Sequence, residues 1–325
     1  MKKIAYLILA HDDPHHLVRL IHAIDYQCDF YIHIDKKQAI ETFKSLNDLP
    51  NVHFCDKRYD ISWGGFHMVK ATLELMRECL AHGETYSHLV LLSGNDYPIK
   101  NKRDIYQYFI DHDGVEIIRA YDIKDSHCQH CYEKVEKYHY FDRSYKFKRL
   151  NKLVNKFKSM MMKPFHKQLS IQTKQGSLHP CFGSQWWALT PDCSTYILNS
   201  DLDQMKRYFK TAYAPDEMFF HTIIFNSQYR TKTLYKGVEP FSEKWKWNNF
   251  HFMLSDDLNC KLVKQPHFIK RIISAFKKEH PYNGSLAYLD LSFFNDIKES
   301  PHLFARKLNT QYSTSLLHEI DQLIG

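Results

Sequence analysis

Glycine is scarce in this chain, with 10 in 325 residues. Neither G-x-G-x-x-G nor G-x-x-x-x-G-K-[S/T] occurs. Those loops work by letting backbone amides approach a phosphate closely, so their absence argues against a dinucleotide enzyme of that fingerprint and against a P-loop NTPase. No apolar run approaches the ~20 residues that span a bilayer, and there is no low-complexity tract or clear internal repeat. The start, Met1-Lys2-Lys3 followed by Ile4–Ala10, superficially resembles a signal peptide. Its apolar part is short and runs straight into His11-Asp12-Asp13-Pro14, so it reads as a first strand. The 8 cysteines are scattered, several inside apolar segments. Without an export signal the expectation is reduced thiols and a cytoplasmic protein. Acid is missing from one region: Arg143 to Lys174 holds ten Lys or Arg and no Asp or Glu. The whole chain is only +7, so the rest is net acidic and the basic stretch is a local feature that points to an anionic partner.

What is present suits a sizeable core, with 44% hydrophobic and 15% aromatic residues. The first 110 residues alternate. Ile4–Ala10, Phe30–Ile34, Val52–Phe54 and Leu89–Leu92 read as strands. Between them Pro14–Ile24, Gln38–Leu46 and Phe66–Leu80 carry apolar residues at helical spacing, and Lys102–Phe109 follows as a further helix. Alternation of this kind predicts an α/β fold with a mostly parallel sheet and right-handed crossovers. Residues 115–119 and 183–189 are strand-like, Pro191–Leu198 and Met218–Phe225 helix-like, and helices are expected at 290–298 and 301–308.

Chemistry gathers where strands stop. His88 to Lys100 is an apolar run that ends in Ser93-Gly94-Asn95-Asp96, then Tyr97-Pro98, so Asp96 sits at the carboxyl end of a buried strand. Open α/β sheets bind ligands along that edge. His11-Asp12 and His33-Ile34-Asp35 end two other strands in the same way. Pro215-Asp216-Glu217 opens a helix, where a carboxylate serves either to offset the helix dipole or as a general base.

In chain order, Ile4–His11, Tyr31–Asp35, Ser62-Trp63-Gly64-Gly65, Leu91–Lys100, Gly183-Ser184-Gln185-Trp186-Trp187, Ala214-Pro215-Asp216-Glu217 and Leu303-Phe304-Ala305-Arg306-Lys307 form an ordered set. The set resembles the core 2/I-branching β-1,6-N-acetylglucosaminyltransferases, glycosyltransferase family 14, which includes the peptide O-xylosyltransferases. The resemblance runs over roughly residues 4–308. It implies a single GT-A-type, Rossmann-like catalytic domain with a mixed, mostly parallel sheet flanked by helices. Residues 1–120 would be the nucleotide-binding half, 123–175 a basic insertion and 176–325 the acceptor and catalytic half. The reaction implied is inverting transfer from a UDP-sugar, UDP-GlcNAc first and UDP-xylose or another UDP-hexose as alternatives, to a glycan hydroxyl.

By the same resemblance Glu217 is the base, Asp35 contacts uridine, and His11, Trp63 and Asp96 line the sugar-donor pocket. Lys307 contacts the diphosphate. A family arginine about two dozen residues upstream has no counterpart in His280–Gly284, which leaves Arg306, Arg271 and Lys278 as alternatives. No divalent metal or other cofactor is expected: Asn95-Asp96 offers one carboxylate where the usual GT-A motif offers two, and a lone Asp is a poor holder for Mg²⁺ or Mn²⁺.

Trp245 and Trp247, alternately spaced in a polar segment, are the acceptor-platform candidates; of Trp186 and Trp187, read as strand residues, one is expected to face outward. Cys128 and Cys131 have zinc-ligand spacing but no second pair follows. Leu150, Leu153, Val154, Phe157 and Met161 recur at helical spacing among basic residues. That pattern predicts either docking on an anionic membrane or a helix packed on the catalytic domain with a solvated basic face. The expected setting is a bacterial-type enzyme in the cytoplasm, peripheral on the inner membrane face, building surface polysaccharide or lipopolysaccharide. A nucleic-acid-binding or zinc-containing interaction protein is the rival, and it leaves the strand-end residues without a role.

Overall fold

The computed structural model describes residues 1–46, 48–126, 128–140, 142, 153–154, 157–158, 160–162, 164–174, 176–241, 249–253, 282–283 and 286–325. In chain order, the elements that position the site are β1 (Lys3–Ala10), α1 (Pro14–Ile24), β2 (Cys28–Ile34), β3 (Val52–Phe54), α2 (His67–Ala81), β4 (Tyr86–Ser93), β5 (Asp96–Pro98) and α3 (Lys102–Asp111). They continue with α4 (Gln129–Glu136), β6 (Ala188–Leu189), α5 (Phe219–Phe225), β7 (His251–Met253), β8 (Phe304–Arg306) and α6 (Thr314–Ile324).

The main sheet has the order β6-β4-β1-β2-β3, parallel except for β6. β1 is central, with Tyr6 facing Phe30 on one side and Val90 on the other. Both faces are covered, which explains why these strands read as continuous apolar runs. Ile4, Tyr6 and Ile8 pack with Leu17 and Leu20 of α1, Ile105 and Phe109 of α3, and Leu317 and Ile320 of α6. Ala5, Leu7 and Leu9 pack with Val69, Leu73 and Met76 of α2. The chain leaves β1 toward β2 on one side and returns to β4 on the other, so the carboxyl ends of β1 and β4 flank a topological switch point.

Local caps fix where the helices start. Asp13, at φ 45°, caps α1 by accepting from the His16 amide at 3.0 Å, with Pro14 in the first turn. The first amides of α2 are taken from far along the chain: Phe66 and His67 both donate to the Asp142 carboxylate.

A second, three-stranded sheet has the order β7-β8-β5, with β8 antiparallel to β5 and parallel to β7. It corrects one expectation: the segment predicted as a helix over 301–308 contains the strand Phe304–Arg306, because its apolar residues fill a slot between β5 and β7. Other corrections are smaller. Ile40–Leu46 is 3-10 rather than α-helical. Residues 115–119 contribute only isolated bridges at Glu116 and Ile117. In 183–189 only Ala188–Leu189 is strand, and Trp186 and Trp187 are both buried, so neither faces outward. Leu291–Phe293 is 3-10 and Phe294–Glu299 helical.

Candidate active site

The parallel strands deliver three short segments to one edge. β1 and β4 end so close together that a Cβ on Gly94 would lie 3.0 Å from the Ala10 Cβ. Glycine lets the Gly94 amide reach the Leu9 carbonyl at 2.9 Å. The next residue, Asn95, donates to the Asp12 carboxylate at 3.2 Å, tying the two strand ends together. β2 brings Asp35 beside them, and its amide donates to the Ala10 carbonyl at 2.8 Å. The Asp35 carboxylate is nearly enclosed and accepts from the Lys37 amide at 2.9 Å, with the Lys37 ammonium at 3.1 Å.

Asp96 is fully buried, and protein groups engage both its oxygens. Oδ1 accepts from Arg306 Nη1 at 2.7 Å; Oδ2 accepts from the Ser93 amide at 2.8 Å and lies 3.0 Å from His251 Nε2. Burial pushes this carboxyl upward, but the charges of His251 and Arg306 outweigh it and hold it below the usual carboxylate range. The residue therefore does not line an open pocket, as its strand-end position implied; it grips Arg306 from behind. A bound cation is a poor fit here, since the one carboxylate of Asn95-Asp96 is already committed to a guanidinium and an imidazole. Among the described residues no group of three or more His, Cys, Asp or Glu could hold a metal ion.

Arg306 lies over the Trp186 ring, 4.3 Å from its centroid, and its side chain is 11% exposed. Its Nε is buried and has no hydrogen-bond partner among the described residues. Lys307 follows directly. Burial, then the Arg306 charge, pushes its ammonium down to about 8. Burial likewise lowers the His11 imidazole below its ordinary value; Asp12 opposes the shift, while Lys307 and Arg306 add to it. His11, Asp35, Arg306 and Lys307 thus share one electrostatic neighbourhood at the switch point, with Asp96 beneath.

Glu217 belongs to a separate turn. Ala214 sits in the left-handed region at φ 50°, and Pro215–Glu217 forms one 3-10 turn before α5 begins at Phe219. The acidic residues are therefore not the first turn of a long helix. The Gly183 amide donates to the Glu217 carbonyl at 2.9 Å, and a Cβ on Gly183 would lie 2.1 Å from the Arg119 carbonyl. Lys134, on α4, donates to Glu217 Oε2 at 2.8 Å. Burial opposes the Lys134 charge, but Glu217 prevails and raises it above the ordinary lysine value. Burial, then the Glu217 charge, pushes Asp216 up to about 7.

Trp63 is 60% exposed and packs edge-on against Tyr213, ring centroids 5.4 Å apart, and the Ala214 amide reaches the Gly64 carbonyl at 3.1 Å. Trp63 is thereby attached to the Glu217 turn rather than to the strand ends. Trp186 bridges the two groups along the chain, three residues beyond Gly183 and against Arg306.

Trp245 and Trp247, and the alternatives Arg271 and Lys278, lie outside the described residues. Sequence reasoning missed His251 and Lys134. The signal for His251 was its polar side chain heading the apolar pair Phe252-Met253; Lys134 had none. Cys131 Sγ lies 3.0 Å from the Tyr121 hydroxyl, and the described cysteines are all free thiols.

A protein-family model described as Core-2/I-Branching enzyme matches residues 4–251 of the chain. Among curated proteins, a human N-acetyllactosaminide beta-1,6-N-acetylglucosaminyl-transferase is 26% identical over 227 residues, 68% of this chain and 52% of the relative. A xylosyltransferase from Ciona intestinalis is 23% identical over 233 residues, and human xylosyltransferase 2 is 24% identical over 234. In both cases 69% of this chain and 25% of the relative are matched. The chain thus spans about half the length of the first of these curated relatives and a quarter of the others.

Proposed function

We propose, starting from the fact that the chain belongs to the Core-2/I-branching enzyme family, that it is an inverting glycosyltransferase working from a UDP-sugar without a divalent metal. One observation carries the reading: two adjacent cationic side chains, Arg306 and Lys307, are fixed at the switch-point edge of a parallel sheet. Departure of UDP develops negative charge on the diphosphate, and preorganised cations stabilise that charge without moving. The Arg306 guanidinium is held by Asp96 and stacked on Trp186, and its buried Nε–H has no acceptor among the described residues, which leaves it for a phosphate oxygen. Among the alternatives for the family arginine, Arg306 is the one these contacts support.

Asp35 and His11 flank the same edge and suit the uridine and donor side. Glu217 takes the proton from the acceptor hydroxyl as its oxygen attacks C1 of an α-linked sugar. The C1–O bond to UDP breaks in the same displacement, and a β-glycoside results. One base suffices, unlike the carboxylate pairs of glycosidases. Lys134 holds that carboxylate in place before the acceptor arrives.

GlcNAc is the first donor sugar to test, supported by the human relative's name, and xylose the second, supported by the xylosyltransferases. The acceptor side is read as a glycan of bacterial surface polysaccharide or lipopolysaccharide built in the cytoplasm, a setting that suits free thiols.

The test is thermal stabilisation by UDP, UDP-GlcNAc and UDP-xylose in the presence of EDTA, paired with UDP release by the wild type and Glu217→Gln. A shift that survives EDTA, with release lost in the variant, is the expected result. Folded protein that responds to no nucleotide would overturn the reading.

A further inference from the structure

We propose that, within the Lys- and Arg-rich stretch between Arg143 and Lys174, the exposed face of Leu153, Phe157, Met160 and Met161 is a docking surface for an anionic lipid bilayer and enters its headgroup region. The sequence pattern left two readings of this stretch, and the direction of its apolar stripe separates them. Leu153, Phe157, Met160 and Met161 are helical and lie at the i, i+4, i+7 and i+8 spacing of one helix face. They are 66%, 58%, 55% and 58% exposed, and Phe165 beyond them is 57% exposed. The other described helical residues, Val154, Lys158 and Met162, repeat every four positions and are half-buried, with the Lys158 ammonium 5.8 Å from the centre of the Tyr140 ring. A helix that served only to cover the catalytic domain would turn its apolar stripe inward and its lysines out. Here the larger apolar side chains face water.

Clustering strengthens the point. Of the eleven large apolar side chains exposed among the described residues, five fall between Leu153 and Phe165. Scattered exposed hydrophobics are ordinary, whereas a patch rimmed by charge marks a docking site. The surrounding sequence is cationic: ten Lys or Arg and no Asp or Glu occur from Arg143 to Lys174. An apolar face with a basic flank matches a surface that is oily beneath and anionic above, the boundary of an acidic phospholipid leaflet. A polynucleotide would use the charge but has no use for exposed Leu and Met. A second copy of the chain would bring the same positive charge against this one. The inference stands apart from the sugar-donor reading, because none of these residues belongs to the site around Arg306 or Glu217.

The experiment is co-sedimentation of the full chain with vesicles of phosphatidylcholine alone or with about a third phosphatidylglycerol, at low and high salt, for wild type and a Phe157→Glu/Met161→Glu variant. Both substituted side chains are exposed, so the variant should keep the wild-type melting temperature and its response to UDP, whichever response that is. Expected are binding to the anionic vesicles only, a loss of about tenfold or more at high salt, and a similar loss in the variant. Absence of binding to anionic vesicles at low salt would overturn the proposal. Vesicle binding that the variant retains in full would do so too, since charge alone would then explain it. A salt-resistant dimer that the variant dissolves would assign the face to a second copy instead.

Discussion

Asp96 and Arg306 stand 210 positions apart in sequence and directly opposite each other in the β5–β8 pair, with carboxylate oxygen and guanidinium nitrogen 2.7 Å apart. The pairing register of two three-residue strands therefore aims the cation. Because Asp96 is fully enclosed, its charge is screened little by solvent and its grip on Arg306 is stiff.

That geometry gives the arginine a structural role beside the one proposed for it at the diphosphate. Replacing Arg306 with Met removes a countercharge in direct contact with a buried carboxylate, and removing one partner of such a pair costs ~3–5 kcal/mol. Urea unfolding should register the loss. Adding Asp96→Asn to Arg306→Met should recover much of the stability but none of the UDP affinity, which separates the two roles of the side chain.

Glu217→Gln should cut UDP release by about 100-fold or more, the low end of what a positioned base contributes. The strand-end residues stay untouched, so UDP binding followed by thermal shift should be unchanged. If both fall together, the Glu217 turn serves binding and not proton transfer.

Lys307 is lowered from 10.5 to about 8 by burial and by Arg306. Between about 8 and 10.5 the unfolded chain therefore binds more protons than the folded one, and this lysine's contribution makes stability rise with pH across that window. Below pH 8 the buried ammonium is a stability cost retained for charge. Lys307→Met should accordingly raise the melting temperature of the ligand-free protein at neutral pH while weakening UDP binding. In the wild type, UDP affinity should fall as pH climbs through about 8, and the variant should lose that dependence.

Gly183→Ala places a methyl 2.1 Å from the Arg119 carbonyl and 2.7 Å from the His221 ring. Backbone must move, at a typical overpacking cost of ~1–3 kcal/mol. The Gly183 amide also holds the Glu217 carbonyl, so turnover should drop more steeply than stability alone would explain. Parallel urea melts and kcat measurements check both.

Legibility from sequence followed the range of the interactions. Pro14–Ile24 and Val52–Phe54 were readable to the residue because Pro14, periodic apolar positions and short apolar runs are local signals. The strand ends at His11, Asp35 and Asp96 were equally clear, since a buried run that stops in polar residues needs no distant partner to be recognised. Phe304–Arg306 was misread as helix because Leu, Ala, Arg and Lys favour helices, and only β5 and β7, both remote in sequence, make it a strand. The partners of Asp96 were hidden for the same reason: His251 and Arg306 come from those late strands. Lys134 reaches Glu217 across 83 positions, and nothing near it in sequence marks it.

The final helix has a consequence for biosynthesis. Asp321 accepts from the Tyr97 hydroxyl at 2.6 Å and from Arg19 at 3.1 Å, and Asn101 donates to the Ile324 carbonyl at 2.6 Å. β5 thus waits for β8 and α6 to complete its surroundings, although its own residues are translated two hundred positions earlier. A chain interrupted before β8 carries Asp35, Asp96 and Glu217 but neither Arg306 nor Lys307. The carboxylate of Asp96 thus gains its guanidinium partner only once β8 has been made and paired with β5, and until then β5 has an unmatched charge to keep in water.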